Sequence, residues 1–222
     1  NSYRYSGANP NNYVCFGATG ADCQNEENQY RIIGVFDNQI KLLKMTSYGN
    51  YTWSGDGSNG ESWNNSTLNT SILNNLFYNN FSILWQNKIE TSTWYIRGNT
   101  VTSETVKNFY SSELAGETYI AKIGLMYGSD YGYATSPENW TTELRNYHTA
   151  AKNSNWMFIG EFEWTIDTIS PYHRSAFAIY SIGNVGGRNL IESSEVRPTF
   201  YLNSDVTYVS GTGTQTDPYR IA

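Results

Sequence analysis

Charge is scarce in this chain. Only 15% of its 222 residues are Asp, Glu, Lys or Arg, and 14 cations against 20 anions leave a net charge of −6. No basic run occurs, which argues against a nucleic-acid partner and against attachment to anionic lipid. No apolar stretch approaches the ~18 residues of a membrane span, and no charged-then-apolar leader opens the chain. Any leader or membrane anchor is expected upstream of Asn1. Histidine is limited to His148 and His173 and cysteine to Cys15 and Cys23. The histidines lie far from the cysteines and fit no zinc spacing, so no metal and no cofactor is expected.

Aromatic residues reach 16%, with 19 Tyr and 7 Trp. Asn, Ser, Thr and Tyr carry solubility in place of Lys and Glu. Such a surface is amphipathic and rich in hydrogen-bonding groups, as recognition surfaces are. Tyr and Asn also suit strands and turns, which accounts for part of the excess. Cys15 and Cys23 flank a short Gly/Ala/Thr/Asp loop. A local disulfide is the favoured reading and implies an extracellular location, with two free thiols in a cytosolic protein as the alternative.

Tyr30–Phe36 and Gln39–Lys44 flank Asp37-Asn38, a two-residue turn signal that predicts a hairpin. Leu68, Ile72, Leu73, Leu76 and Phe77 form a helical stripe with Ser66 placed to cap it. Ile83, Leu84 and Ile89 suggest a shorter helical piece. Val106, Phe109, Tyr110 and Leu114 suggest another helix, stopped by Gly116. Tyr119–Met126 reads as one buried strand. Ser136-Pro137-Glu138 reads as a helix start. The last third is strand and turn, and the two termini are expected to pair. With no internal repeat and no linker, residues 1–222 read as one α+β domain with mixed or antiparallel sheets and two to four short helices.

Five stretches together resemble one family of bacterial extracellular domains. They are Tyr3–Gly17 (YRYSGANPNNYVCFG), Tyr30–Gly34 (YRIIG), Ile123–Ala134 (IGLMYGSDYGYA), Asn155–Ile166 (NWMFIGEFEWTI) and Val196–Val206 (VRPTFYLNSDV). Such domains occur in Gram-positive, gut-associated bacteria, often behind a type IV prepilin-like helix. The resemblance implies location and architecture more than chemistry. The run Ile159–Ile166 followed by Val196–Leu202 is also similar to the C-terminal half of C-type-lectin-like folds of the formylglycine-generating-enzyme branch. It is similar, too, to lectin-like domains that vary the residues after a Glu-Trp strand to change their ligand. That likeness implies a C-type-lectin-like fold displaying Tyr172, His173, Arg174, Ser175, Phe177, Tyr180 and Asn184, with Tyr172, Arg174 and Tyr180 as anchors. Phe177 and Ile179 could instead turn one strand face into the core.

Catalytic readings are thin. Formylglycine-type chemistry needs cysteines near the display segment, and none follows Cys23. Cys15 or Cys23 with either histidine is a nucleophile pair only on paper, since a disulfide consumes both thiols. Glu161 and Glu163 share a strand face but suit a buried structural Glu163 better than a glycosidase pair. Asp56–Glu61 lacks the alternating acids of a calcium loop.

These features imply a non-catalytic, adhesin-like binding module on a bacterial cell surface or pilus. Its partner would be a host glycan or protein, or other surface subunits; nucleic acid is not expected, and membrane contact only through an anchor outside this chain. A structural pilin-like subunit is the alternative, and an extracellular hydrolase a third.

Overall fold

Asp37 and Asn38 both adopt positive φ, 47° and 67°, the backbone of a tight hairpin turn that Asp and Asn tolerate. The computed structural model describes residues 2–54, 62–98, 101–169 and 174–222. Its strands, in chain order, are β1 (Ser2–Arg4), β2 (Tyr13–Cys15), β3 (Gln29–Phe36), β4 (Gln39–Lys44), β5 (Gly49–Thr52), β6 (Ser92–Arg97), β7 (Glu117–Ala121) and β8 (Ile123–Gly124). They continue as β9 (Glu163–Thr168), β10 (Ser175–Ile179), β11 (Val185–Asn189), β12 (Ser193–Val196), β13 (Thr199–Tyr201), β14 (Tyr208–Ser210) and β15 (Arg220–Ile221).

The expected hairpin, β3–β4, organises a six-stranded antiparallel sheet ordered β1-β3-β4-β13-β8, with β2 also paired to β3. A second sheet runs β11-β10-β9-β12-β5 and is antiparallel except where Glu195 meets Glu163 in parallel. Two small ribbons, β6–β7 and β14–β15, complete the architecture. The fold is α+β, as the sequence implies.

Alternation along the strands divides the core into two layers. Tyr30, Ile32 and Leu42 join Trp53, Trp63, Trp94, Trp164 and Phe200 in one cluster. Ile33 and Leu43 point the other way, into a cluster with Phe109, Tyr131, Tyr147 and Met157. Ala176 and Ala178 of β10 face the first cluster, while Phe177 and Ile179 face the second. Both faces of these strands are therefore dry.

Ser66 caps the helix Leu68–Phe77 as expected: its Oγ accepts from the Asn69 N–H at 3.1 Å. This helix is wound in the wide i→i+5 manner and buries Leu68, Asn69, Leu73 and Phe77. Asn74 on it donates to the Ile123 carbonyl at 2.9 Å and accepts from the Ile123 N–H at 3.0 Å, which covers the exposed edge at β8. The helices Ile83–Gln86 and Val106–Leu114 form where the apolar spacing places them.

Three expectations change. Tyr119–Met126 is not one strand: the chain breaks at Lys122, whose ammonium donates to the Ile89 carbonyl at 2.6 Å, leaving β7 largely exposed and β8 buried. Gly128–Ala134 and His148–Ser154 are helices that the sequence reading left unassigned, so the described residues hold five such segments rather than two to four. Ser136-Pro137-Glu138 opens only a short 3-10 turn, Pro137–Asn139.

The termini do pair. Tyr219 donates its N–H to the Tyr13 carbonyl and accepts from the Cys15 N–H, at 2.8 and 2.9 Å. Cys15 and Cys23 form the expected disulfide beside this junction. Closing so short a loop stabilises by up to about 2.5 kcal/mol in the chain-entropy model.

Candidate functional site

Lys41 sits on β4 among Ile40, Leu42 and Leu43, and Asp130 lies in the first turn of the helix Gly128–Ala134. Both are about 1% exposed, and their side chains meet at 2.6 Å. Arg4, from the edge strand β1, reaches the other Asp130 oxygen at 2.6 Å. The Tyr127 N–H donates to Asp130 Oδ2 at 3.0 Å. Aromatic rings surround both cations. Lys41 Nζ lies 3.9 Å from the Tyr127 ring centre and 5.4 Å from that of Tyr201. The Arg4 guanidinium lies over Phe36 at 4.5 Å, Tyr133 at 4.8 Å and Tyr110 at 5.2 Å. Burial alone would raise the Asp130 pKa, but the two cations hold it below the usual carboxylate range.

This triad floors a cleft of about 360 Å³, whose lining includes Phe36, Gln39, Thr91, Ser92, Thr93, Tyr95, Tyr110, Tyr127 and Tyr201. That volume is at the small end of the range for ligand sites. Tyr127 and Tyr201 are held neutral, chiefly by burial, so they can offer hydroxyl groups but not phenolates. Ser92 is 7% exposed, lines the cleft, and has an Oγ with no hydrogen-bond partner. Among the described residues Arg4 has one hydrogen-bond partner, Asp130, which leaves most of its five N–H donors uncommitted.

Two more acids lie buried nearby. Glu113 accepts from the Ser129 N–H at 3.0 Å and from the Ser129 hydroxyl. Asp167, on β9, is 0% exposed and interacts with Glu113 and the Gly128 backbone. Burial pushes Asp167 up to about 7 and Glu113 well above the ordinary glutamate range, Asp167 adding to the latter. Glu113 and Asp167 are each 1% exposed or less and do not line the cleft, whereas Asp130 lines it with both carboxylate oxygens held by cations. What the cleft can do is present donors, hydroxyl groups and ring edges. No cluster of three metal-ligating side chains occurs among the described residues.

A second charge centre sits where the chain passes from β12 of the second sheet to β13 of the first. Arg197 donates to Glu163 from Nε and Nη2, at 2.6 and 2.8 Å, and from Nη2 to the Met157 carbonyl at 2.5 Å. Glu163 is thus the buried structural residue expected, and its partner is the Arg197 side chain. Glu161 lies outside β9 and is exposed, so the two acids do not form a same-face pair.

The residues assigned to ligand display fall elsewhere. Tyr172 and His173 lie outside the described residues, as does the Asp56–Glu61 segment. Arg174 is exposed and Ser175, at the start of β10, is half-buried. Phe177 is not a surface contact: it is 1% exposed and packs edge-on against Phe109 at 5.3 Å, because alternation along β10 turns it into the second core cluster. Tyr180 is half-buried against Phe162, with its hydroxyl on the Gly187 carbonyl at 2.5 Å. Asn184 is half-buried and its carbonyl receives the Tyr180 N–H at 2.8 Å. None of the described ones lines the cleft.

Arg4, Lys41, Ser92 and Asp130 escaped sequence reading because β1, β4, β6 and a seven-residue helix supply them. One signal was present: Lys41 interrupts the apolar run Ile40–Leu43 at a position that β alternation turns inward. Comparison with protein-family models, with curated proteins and with solved structures finds no match.

Proposed function

We propose that the chain is a non-catalytic binding module of C-type-lectin-like architecture, displayed outside a bacterial cell, and that the cleft above Arg4, Lys41 and Asp130 is its ligand site. One observation carries the reading. A concave surface joins half-buried Tyr and Phe rings to hydrogen-bonding groups, with Asp130 held by two cations in its floor and Asp37 exposed at its rim. The surface around Arg174, Tyr180 and Arg188 is a second candidate contact area, where Arg188 lies over the Phe162 ring at 4.0 Å.

The competing reading, a structural subunit of a surface assembly, draws on a different feature. Leu76, Ile83 and Leu84 are 54%, 69% and 64% exposed on consecutive helical segments, an apolar surface of the kind subunit contacts use. Immobilised protein and a Thr93→Trp variant separate the two. Thr93 is an exposed cleft-lining residue, so the added indole obstructs the site without entering the core. Retention of labelled mucin glycoprotein or of intact epithelial or bacterial cells by the wild type, lost in the variant, supports the cleft. Equal retention by both removes it from the mechanism.

A further inference from the structure

We infer that two copies of this chain pair antiparallel along the open edge of β7, joining their ribbons into one four-stranded sheet with both clefts on the same side.

Among the described residues β7 pairs with β6 alone. Tyr95 on β6 turns its N–H away from β7, to the Tyr127 hydroxyl at 2.9 Å. Tyr95 lies opposite Thr118, and Thr93 opposite Ile120. In an antiparallel ladder, facing residues turn their backbone groups together or apart, alternately along the strand. Thr118 and Ile120 therefore aim their N–H and C=O groups outward, and among the described residues no loop or side chain bonds to them. Both side chains are exposed, Ile120 by 67%. Free donors and acceptors beside exposed β-branched side chains form a template for a further strand.

The other edges are engaged within the fold or shorter. Asn74 takes both backbone groups of Ile123 at β8, the Tyr180 hydroxyl takes the Gly187 carbonyl on β11, and the Trp164 indole takes the Tyr51 carbonyl on β5. β1 and β14 have three residues each.

A second copy fits because the β7 edge is complementary to itself. Hydrogen-bonded pairs must join outward-facing residues, so Thr118 of each copy meets Ile120 of the other, and the two-fold axis passes between the Tyr119 residues. Each such pair exchanges both of its N–H···O bonds. Glu117 then stands opposite Ala121 and beside Lys122 of the second copy, so opposite charges meet at both ends. A parallel arrangement would set Glu117 against Glu117.

Cross-strand partners share a face, so Thr118 and Ile120 lie on the side of the ribbon that Thr93 and Tyr95 turn to the cleft. The axis stands perpendicular to the sheet and leaves both clefts opening to one side. Resting on the proposed cleft, the dimer is a bivalent binder, which strengthens retention on a surface of repeated ligands.

Sedimentation velocity of the full chain from micromolar to millimolar concentration tests the pairing. A concentration-dependent dimer is expected. Ile120→Lys places like charges across the axis and should return it to monomer, with thermal stability at the wild-type value. Tyr119→Cys gives a readout that needs no disruption. Residues facing each other in a non-hydrogen-bonded pair bring their Cβ atoms within about 4.5 Å, so this variant should cross-link to itself on mild oxidation. Glu117→Cys, displaced by about 13 Å from its copy, should not. A chain monomeric throughout, a dimer unaffected by Ile120→Lys, or Tyr119→Cys cross-linking no faster than Glu117→Cys each overturns the pairing. A monomer that binds unfolded gelatin chains, and loses them in Ile120→Lys, gives the edge to a foreign strand and likewise overturns it. A dimer without Thr93→Trp-sensitive retention keeps the interface and removes the ligand site.

Discussion

The two buried charge centres use similar groups to different ends. At the sheet junction Glu163 meets one cation, Arg197, in a closed bidentate pair. At the cleft floor Asp130 meets two, Arg4 and Lys41. Burial raises the pKa of Glu163 despite its partner, whereas the two cations pull Asp130 below the usual range. Asp167, with no cation in contact, rises to about 7. Two cations in contact therefore set Asp130 apart from the other two carboxyl groups, because each cation offsets part of the desolvation cost. The one-cation site can be sealed in the interior. The two-cation site carries spare donors and sits under an opening.

Breaking the closed pair should have the largest effect. Arg197→Met leaves Glu163 buried without a counter-ion and should cost about 3–5 kcal/mol in urea unfolding, with much of it recovered in the Glu163→Leu/Arg197→Met double variant. Affinity of the folded fraction for a cleft ligand should not change. Asp130→Asn leaves Lys41 and Arg4 without their shared anion and should cost about 3 kcal/mol. In contrast to the first variant, it should also abolish cleft binding. If both variants spare binding, the triad is not part of the site.

Lys41→Met sharpens the cation count at a smaller cost, about 2 kcal/mol, because Asp130 keeps Arg4 and the Tyr127 N–H. Asp130, with its folded pKa depressed, contributes stability present above its ordinary range and lost as pH falls through its folded value. Removing one cation raises that folded value, so acid unfolding of the variant should begin at higher pH than in the wild type. An unchanged acid limb would refute the count.

Asp167 gives the smallest effect and the opposite sign. Between its ordinary 3.8 and about 7 the folded chain holds a proton that the unfolded chain has released. Stability should therefore fall as pH rises through that window, by at most about 1.4 kcal/mol per pH unit. Asp167→Asn should flatten this slope in chemical-denaturation series taken at several pH values.

Legibility followed sequence distance. The Asp37-Asn38 turn, the Ser66 cap and the helix ending before Gly116 were readable because neighbours along the chain determine them. The strand Tyr119–Met126 was misread because its break depends on Lys122 reaching Ile89, across a contact no local pattern encodes. The helix Gly128–Ala134 was missed because its two glycines oppose helix propensity. Gly132 is required there by packing: a Cβ would lie 2.6 Å from Val106 Cγ2. Phe177 looked like a display residue since alternation alone does not say which faces of a strand are covered, and here both are.

The amino-acid order by itself determined the α+β class, the hairpin and the Cys15–Cys23 bridge, which follow from short-range turn geometry, side-chain periodicity and the close spacing of two cysteines. The tertiary structure alone decided the cleft. Asp130 meets Arg4 across 126 positions and Lys41 across 89. Only when β1, β4 and the helix Gly128–Ala134 pack together does a single carboxylate gain two cations, and the polar floor that results has no counterpart in any local run of residues.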